Sequence, residues 1–187
     1  MARIALIMGE MFEDSEFRVP YDTLRTEGHQ VVIIGTEGGK EIHGKRGRET
    51  VRTERSIEEV SAEGFDALVI PGGYSPDHLR TDPDMVAFVR AFIRAGKTVA
   101  AICHGPWMLA ESDVIRGRTV TSWPSIRTDL MNAGARWVDR EVVEDGIIVT
   151  SRKPGDLSAF TQTILRRLEA REPAEEAHRR PHAEAAS

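Results

Sequence analysis

Cys103 is the only cysteine in the chain, and its neighbours are those a working thiol needs. It closes the apolar run Thr98-Val99-Ala100-Ala101-Ile102 and is followed by His104, Gly105 and Pro106. A short apolar run bounded by Gly96 and Gly105 reads as a buried parallel strand, and Trp107 to Ala110 resumes as an apolar helical stretch. Cys103 therefore falls at a strand-to-helix corner. The small residues Ala101 and Gly105 on either side suit a nucleophile elbow, where the chain reverses too tightly for larger side chains. Pro106 suits a first helical position, because its missing N–H would be unpaired there anyway. The sulfur would face a helix N-terminus, which favours thiolate over thiol. A lone cysteine in mid-strand would read as a small buried apolar residue; the corner argues against that here.

Other reactive groups follow other apolar runs. Glu10, Glu13, Asp14 and Glu16 come after Arg3–Met8. Gly72 and Gly73, then Asp77 and His78, come after Ala67–Ile70, and Ser122-Trp123-Pro124 comes after Thr119–Thr121. Ligands of open parallel sheets bind beyond the carboxyl ends of the strands, so these segments and Cys103-His104 should converge on one pocket. The glycines let backbone N–H groups approach a reacting oxygen, and with the N–H of His104 they could form an oxyanion hole. A carboxyl from the acidic cluster, buried beside the sulfur, would have a raised pKa and could donate a hydrogen bond to a thiolate. Taken singly, Glu10, Asp14 and Glu16 read as a solvated acidic helix start. His104 is the obvious base, but neighbours in sequence at a sharp turn tend to point apart, and a third group would have to orient it.

The elements that must hold these groups can be read from periodicity and punctuation. Strands are expected at Arg3–Met8, Val31–Gly35, Ala67–Ile70, Thr98–Ile102 and Thr119–Thr121. Helices are expected at Phe17–Glu27, from Asp82-Pro83 through Ala95, at Ser125–Ala133, and from Asp156 to about Leu168. Glu37–Arg55 reads as a hairpin excursion, Ile57–Val60 as a helical turn, and Glu141–Ser151 as a hairpin turning at Asp145-Gly146. Alternation of strand and helix implies a doubly wound α/β sandwich with a mostly parallel sheet. One domain over residues 1–170 is expected, with 171–187, which lack large apolar residues, a disordered tail.

Composition narrows the function. With 25 basic and 30 acidic residues the net charge is −5, and the basic residues form no stripe suited to a phosphate backbone, so direct nucleic-acid binding is not expected. A single cysteine permits no internal disulfide, and neither a signal peptide nor a long apolar span is evident, which implies a reducing cytoplasm. Gly39 to Arg46 imitates a phosphate-binding loop, but Arg46 stands where a hydroxyl should and no apolar helix follows. No dinucleotide fingerprint follows a strand, and the histidines lack zinc-ligand spacing, so no cofactor and no metal are expected.

With Ala101-Ile102-Cys103-His104-Gly105-Pro106, Ile70-Pro71-Gly72-Gly73 and Phe12-Glu13-Asp14 in this order, the chain resembles the PfpI branch of the DJ-1/PfpI superfamily, which is related to class I glutamine amidotransferases. Asn132–Ala135, Trp137–Asp139, Glu141–Val143 and Ser151–Leu157 extend the resemblance, and Ser75–Arg80 is similar to its stress-protein branch. The resemblance implies a flavodoxin-like three-layer sandwich with Cys103 as nucleophile and His104 beside it. It also implies that Glu13 is the glutamate contacting the cysteine. Asp77 matches an acidic position that reaches the histidine of a neighbouring subunit in a homodimer or hexamer, although here it is one methylene shorter than the glutamate of archaeal proteases. The activities implied are deglycation of protein and nucleotide adducts, cofactor-independent glyoxalase action on methylglyoxal, and intracellular peptidase action. Of these, a deglycase or glyoxalase in carbonyl stress is the favoured expectation. A non-enzymatic redox sensor or chaperone, using oxidation of Cys103, is the alternative.

Overall fold

The computed structural model describes the backbone of residues 1–179 and the side chains of residues 1–170. In chain order the elements are β1 (Arg3–Ile7), α1 (Asp14–Thr26), β2 (Gln30–Gly35), β3 (Glu41–His43), β4 (Thr50–Arg52), β5 (Arg55–Ser56), β6 (Ala67–Ile70), α2 (Ser75–Leu79), α3 (Pro83–Arg94), β7 (Thr98–Ile102), α4 (Pro106–Glu111), β8 (Thr119–Val120), α5 (Arg127–Asn132), β9 (Arg136–Trp137), β10 (Val142–Asp145), β11 (Ile148–Ser151) and α6 (Leu157–Arg179).

The main sheet has the order β10-β11-β7-β6-β1-β2-β5, parallel throughout except for the β10–β11 hairpin. Its central strands are buried on both faces, and that is why they read as continuous apolar runs. Side chains alternate across the sheet. Ala5, Ile7, Leu68, Ile70, Val99 and Ala101 face one core with Leu79 of α2, Met85, Phe88 and Phe92 of α3, and Leu109 of α4. Ile4, Leu6, Val69, Ala100 and Ile102 face the other with Phe17 and Leu24 of α1 and Phe160 and Ile164 of α6. Two helical layers on one sheet give the doubly wound α/β sandwich that the strand-helix alternation implied, in the three-layer, flavodoxin-like form that the resemblance implied.

Several boundaries differ for local reasons. Helix α1 begins at Asp14, before the expected Phe17, with Glu13 as its extended N-cap residue. Leu79 packs into the core and a short helix, α2, forms after the paired glycines, in a stretch to which no element was assigned from the sequence. Helix α6 runs beyond the expected end near Leu168 to Arg179; the rest of the expected tail, 180–187, lies outside the described residues. Asp82 caps α3 as its sequence position implied, accepting from the N–H of Asp84 and Met85. No helix among the described residues is long and apolar enough to cross a membrane.

Strand β1 lies between β2 and β6, so the chain leaves it in one direction and returns on the other side. The loops after β1 and β6 therefore diverge over the carboxyl edge and open a crevice. Strand β7 ends beside that crevice and delivers Cys103 to it.

Candidate active site

Cys103 has φ of +63°, a left-handed conformation that costs a residue bearing Cβ about 1–2 kcal/mol. The corner is held from both sides: the Cys103 N–H donates to the Ser151 carbonyl at 3.0 Å, and its carbonyl accepts from the Trp123 N–H at 3.0 Å. Gly105 is required beneath it, since a Cβ there would lie 2.5 Å from the Ile70 carbonyl oxygen and 2.8 Å from that of Ile102. The elbow read from Ala101, Gly105 and Pro106 is thus present, with Pro106 opening α4.

The expected difficulty at His104 does not arise. The left-handed turn swings the two side chains to one side, placing His104 Nδ1 3.3 Å from Cys103 Sγ, while Nε2 lies 3.2 Å from Ser125 Oγ. Trp107 packs edge-on against the imidazole at a ring separation of 5.3 Å. Burial and the Lys45 charge lower the His104 pKa, and Asp77 opposes them by raising it. His104 is therefore a neutral base at pH 7. Asp77 itself is exposed on α2 and forms no ion pair with His104 of the same chain.

The glutamate at the sulfur is Glu16, not Glu13. Glu13 is only 2% exposed, but its carboxylate turns to the β3–β4 loop, where it pairs with Lys45 Nζ at 2.8 Å and Arg46 Nε at 3.2 Å. Glu16 is fully buried on the apolar stripe that α1 presents through Phe17, Pro20 and Leu24. Its carboxyl interacts directly with the Cys103 thiol, and its Oε2 accepts from the Gly72 N–H at 2.7 Å. Its Oε1 is buried with no hydrogen-bond partner of ordinary geometry. Desolvation, helped by the nearby Glu13 charge, pushes its pKa up to about 8 against the pull of the Gly72 N–H. A buried carboxyl of this kind is mostly protonated at neutral pH and can donate to the sulfur. The periodicity of α1 was the available signal, because Glu16 lies on the same face as Pro20 and Leu24.

The glycines are divided in their work. The Gly72 N–H is committed to Glu16 and has no capacity for an oxyanion. The N–H groups of Gly73 and His104 point at the Cys103 sulfur and favour its ionised form, although burial and Glu16 outweigh them and raise the thiol pKa. The depressed pKa expected from a helix N-terminus is therefore absent, because the carboxyl beside the sulfur and the lost solvent dominate. Gly72 cannot carry a side chain: a Cβ would approach Cys103 Cβ to 2.8 Å and the His104 nitrogen to 3.0 Å.

Lys45 was not foreseen. Gly39 to Arg46 belongs to the β3–β4 hairpin, whose tip is tied down by Asp14. That carboxylate accepts from the N–H groups of Arg46, Arg48 and Glu49, and the Lys45 N–H donates to the Phe12 carbonyl. The loop thereby brings a cation to the crevice. Its charge is felt by Cys103, Glu16 and His104, and the Glu13 partnership outweighs burial to keep its pKa high. Glu10 lies apart, paired with His43 at 3.1 Å. No cluster of ligands suited to a metal ion occurs among the described residues.

The site so built holds a strained cysteine, a neutral histidine base and a protonated buried carboxyl around one sulfur, an arrangement suited to thiol addition at an electrophilic carbon. The DJ-1/PfpI family profile matches residues 2–167. The chain is 49% identical over 169 residues to protein/nucleic acid deglycase 2 of Escherichia coli, covering 90% of this chain and 98% of that protein. It is 45% identical to general stress protein 18 of Bacillus subtilis, covering 89% and 98% respectively. A crystal structure of a two-domain protein from Anabaena variabilis, with DJ-1/ThiJ/PfpI-like and ferritin-like domains, superposes with a TM-score of 0.89 at 43% identity, covering 90% of this chain and 48% of that one.

Proposed function

Because the chain belongs to the DJ-1/PfpI family, we propose that it is a cofactor-independent, cysteine-dependent enzyme acting on methylglyoxal or on early carbonyl adducts of proteins and nucleotides. The observation that carries this reading is the placement of Cys103 Sγ, at a left-handed elbow, between His104 Nδ1 at 3.3 Å and the buried Glu16 carboxyl. The names of the deglycase and stress-protein relatives support it.

In the resting site the thiol and Glu16 are protonated and His104 is neutral. His104 takes the S–H proton as the sulfur attacks the aldehyde carbon, and the carbonyl π pair moves to oxygen, which is then protonated to give a hemithioacetal. Removal of the proton on that carbon and its return to the adjacent carbon, with Glu16 and His104 as carriers, turns the hemithioacetal into a thioester. Water then cleaves the S–C bond and releases the 2-hydroxy acid and the thiol. Only water is consumed, and no external oxidant or reductant is required. On a hemiaminal adduct the sulfur displaces the amine, which leaves with the proton held by His104.

Asp77 enters the proposal as a second-chain contributor. Its exposure on α2 leaves it available to His104 of a neighbouring copy in a homodimer or hexamer. The enzyme reading is tested by comparing wild type with Cys103→Ala on methylglyoxal, a glycated peptide and a fluorogenic peptide. Turnover of the first two is expected to fall at least about a thousandfold in the variant. Full turnover by Cys103→Ala, or wild-type turnover of the fluorogenic peptide alone, overturns the assignment; the latter outcome makes the protein a peptidase.

A further inference from the structure

We infer that Ser125 is a positioning residue for His104, completing a Cys103–His104–Ser125 relay within one chain. This rests on the reading of Cys103 as nucleophile, and it assigns a role to a residue of the Ser122–Asp129 segment that nothing above uses.

The geometry is two-sided. A neutral imidazole has one N–H donor and one bare nitrogen acceptor. For Nδ1, 3.3 Å from the sulfur, to accept the thiol proton, the ring proton must reside on Nε2. Ser125 Oγ lies 3.2 Å from Nε2 and can accept that N–H with a lone pair, leaving its own hydroxyl proton free to turn to solvent. Once His104 takes the thiol proton, the imidazolium donates from Nδ1 to the thiolate and from Nε2 to Ser125. The same contact thus serves both protonation states.

The segment carrying Ser125 is pinned where this role needs rigidity. The Trp123 N–H donates to the Cys103 carbonyl at 3.0 Å, so the segment is tied to the elbow itself. Trp137 Nε1 donates to Ser122 Oγ at 3.0 Å, and Trp107 Nε1 donates to Asp129 Oδ2 at 2.8 Å. Ile126, next to Ser125, is buried in the core, and Pro124 opens the turn that aims the hydroxyl. Trp107, which holds Asp129, also packs against the His104 ring. Ring and hydroxyl are therefore located by one connected set of contacts.

The experiment reads the relay apart from turnover. Because Cys103 is the only cysteine, its alkylation by iodoacetamide can be followed by mass spectrometry from about pH 6 to 9 in wild type, Ser125→Ala, Ser125→Thr and Asp77→Ala, each with its oligomeric state and melting temperature measured. The ring tautomer of His104 is read by ¹⁵N NMR. Ser125→Ala is expected to slow alkylation at neutral pH about tenfold and kcat by a similar factor with KM little changed. The neutral ring should lose its preference for the Nε2–H form, and Ser125→Thr, which keeps the hydroxyl, should restore all three readouts. Wild-type alkylation and an unchanged tautomer in Ser125→Ala overturn the inference, as does a loss seen only in Asp77→Ala, which would assign the orienting role to the partner carboxylate. If the alkylation and tautomer effects appear while wild type turns over no carbonyl substrate, the relay stands and the enzymatic reading fails.

Discussion

Replacing Glu16 with Gln should flatten the pH dependence of stability. The Glu16 carboxyl is fully buried, and its pKa is pushed from 4.5 to about 8, mainly by desolvation. A carboxyl whose folded-state pKa is raised contributes stability that is complete below its unfolded pKa and is lost as pH rises through the folded one. The relevant window therefore runs from 4.5 up to about 8. A shift of roughly 3.5 units at about 1.4 kcal/mol per unit sets a ceiling of about 5 kcal/mol; relaxation around a newly buried charge brings the expected loss nearer 2–3 kcal/mol, about half that ceiling. Gln keeps the shape and a carbonyl for the Gly72 N–H but cannot ionise. His104 acts in the opposite sense, since its lowered pKa makes stability fall as pH drops below 6.5, and it is present in both proteins. The difference between the two urea-denaturation series isolates Glu16. Wild type should lose about 2–3 kcal/mol relative to Glu16→Gln between about pH 5 and 8.5, with unchanged m-values. Parallel curves for the two proteins would refute the argument, because they would mean that Glu16 is ionised and hydrated as freely in the folded state as in the unfolded one.

Two further substitutions test the elbow. With φ of +63° at position 103, Cys103→Gly should be about 1 kcal/mol more stable than Cys103→Ala, because glycine alone occupies that region without a Cβ penalty; an alanine variant equal or superior in denaturant melts would show the corner to be unstrained. Gly72→Ala should cost about 1–3 kcal/mol by overpacking and should lower turnover at least tenfold, on the order expected for a displaced catalytic group, since its Cβ would press on Cys103, the Glu16 carboxyl and the His104 amide. Wild-type kinetics with wild-type stability would mean that the crevice is looser than these contacts imply.

The parts legible in the sequence were those whose signal is local. Four apolar runs, at Arg3–Met8, Val31–Gly35, Ala67–Ile70 and Thr98–Ile102, marked strands of the main sheet, because a parallel strand buried on both faces leaves no polar alternation, whereas the fifth, at Thr119–Thr121, pairs with β9 in a small separate sheet. Gly105 and Pro106 marked the elbow, because a sharp strand-to-helix reversal admits few residue types. The remainder depended on where side chains point once tertiary contacts form. Glu13 and Glu16 are both buried carboxyls at the start of one helix, and composition cannot tell them apart. The helical period does, since Glu16 falls on the inward stripe and Glu13, at the N-cap, faces the hairpin that supplies Lys45. Lys45 itself had no local signal, because it reaches the crevice only after the Asp14 carboxylate has gathered the amides of a loop more than thirty residues away. His104 was misjudged from the rule that adjacent side chains diverge. That rule assumes an ordinary backbone, and the left-handed Cys103 suspends it.

The same strain that makes the elbow costly is thus what brings a thiol and an imidazole on two consecutive residues into contact. The contact of 3.3 Å between the sulfur and His104 Nδ1 is made in that left-handed conformation. Burial then sets the resting state. Between them the thiol and Glu16 favour the fully protonated form at neutral pH, because either negative charge would have to be held without solvent. In the proposed reaction, ionisation of the sulfur becomes favourable when His104 takes its proton and an electrophilic carbon takes its electron pair in the same step. A thiol held in this way, only 5% exposed, is inert until a base and an electrophilic carbon are presented to it together.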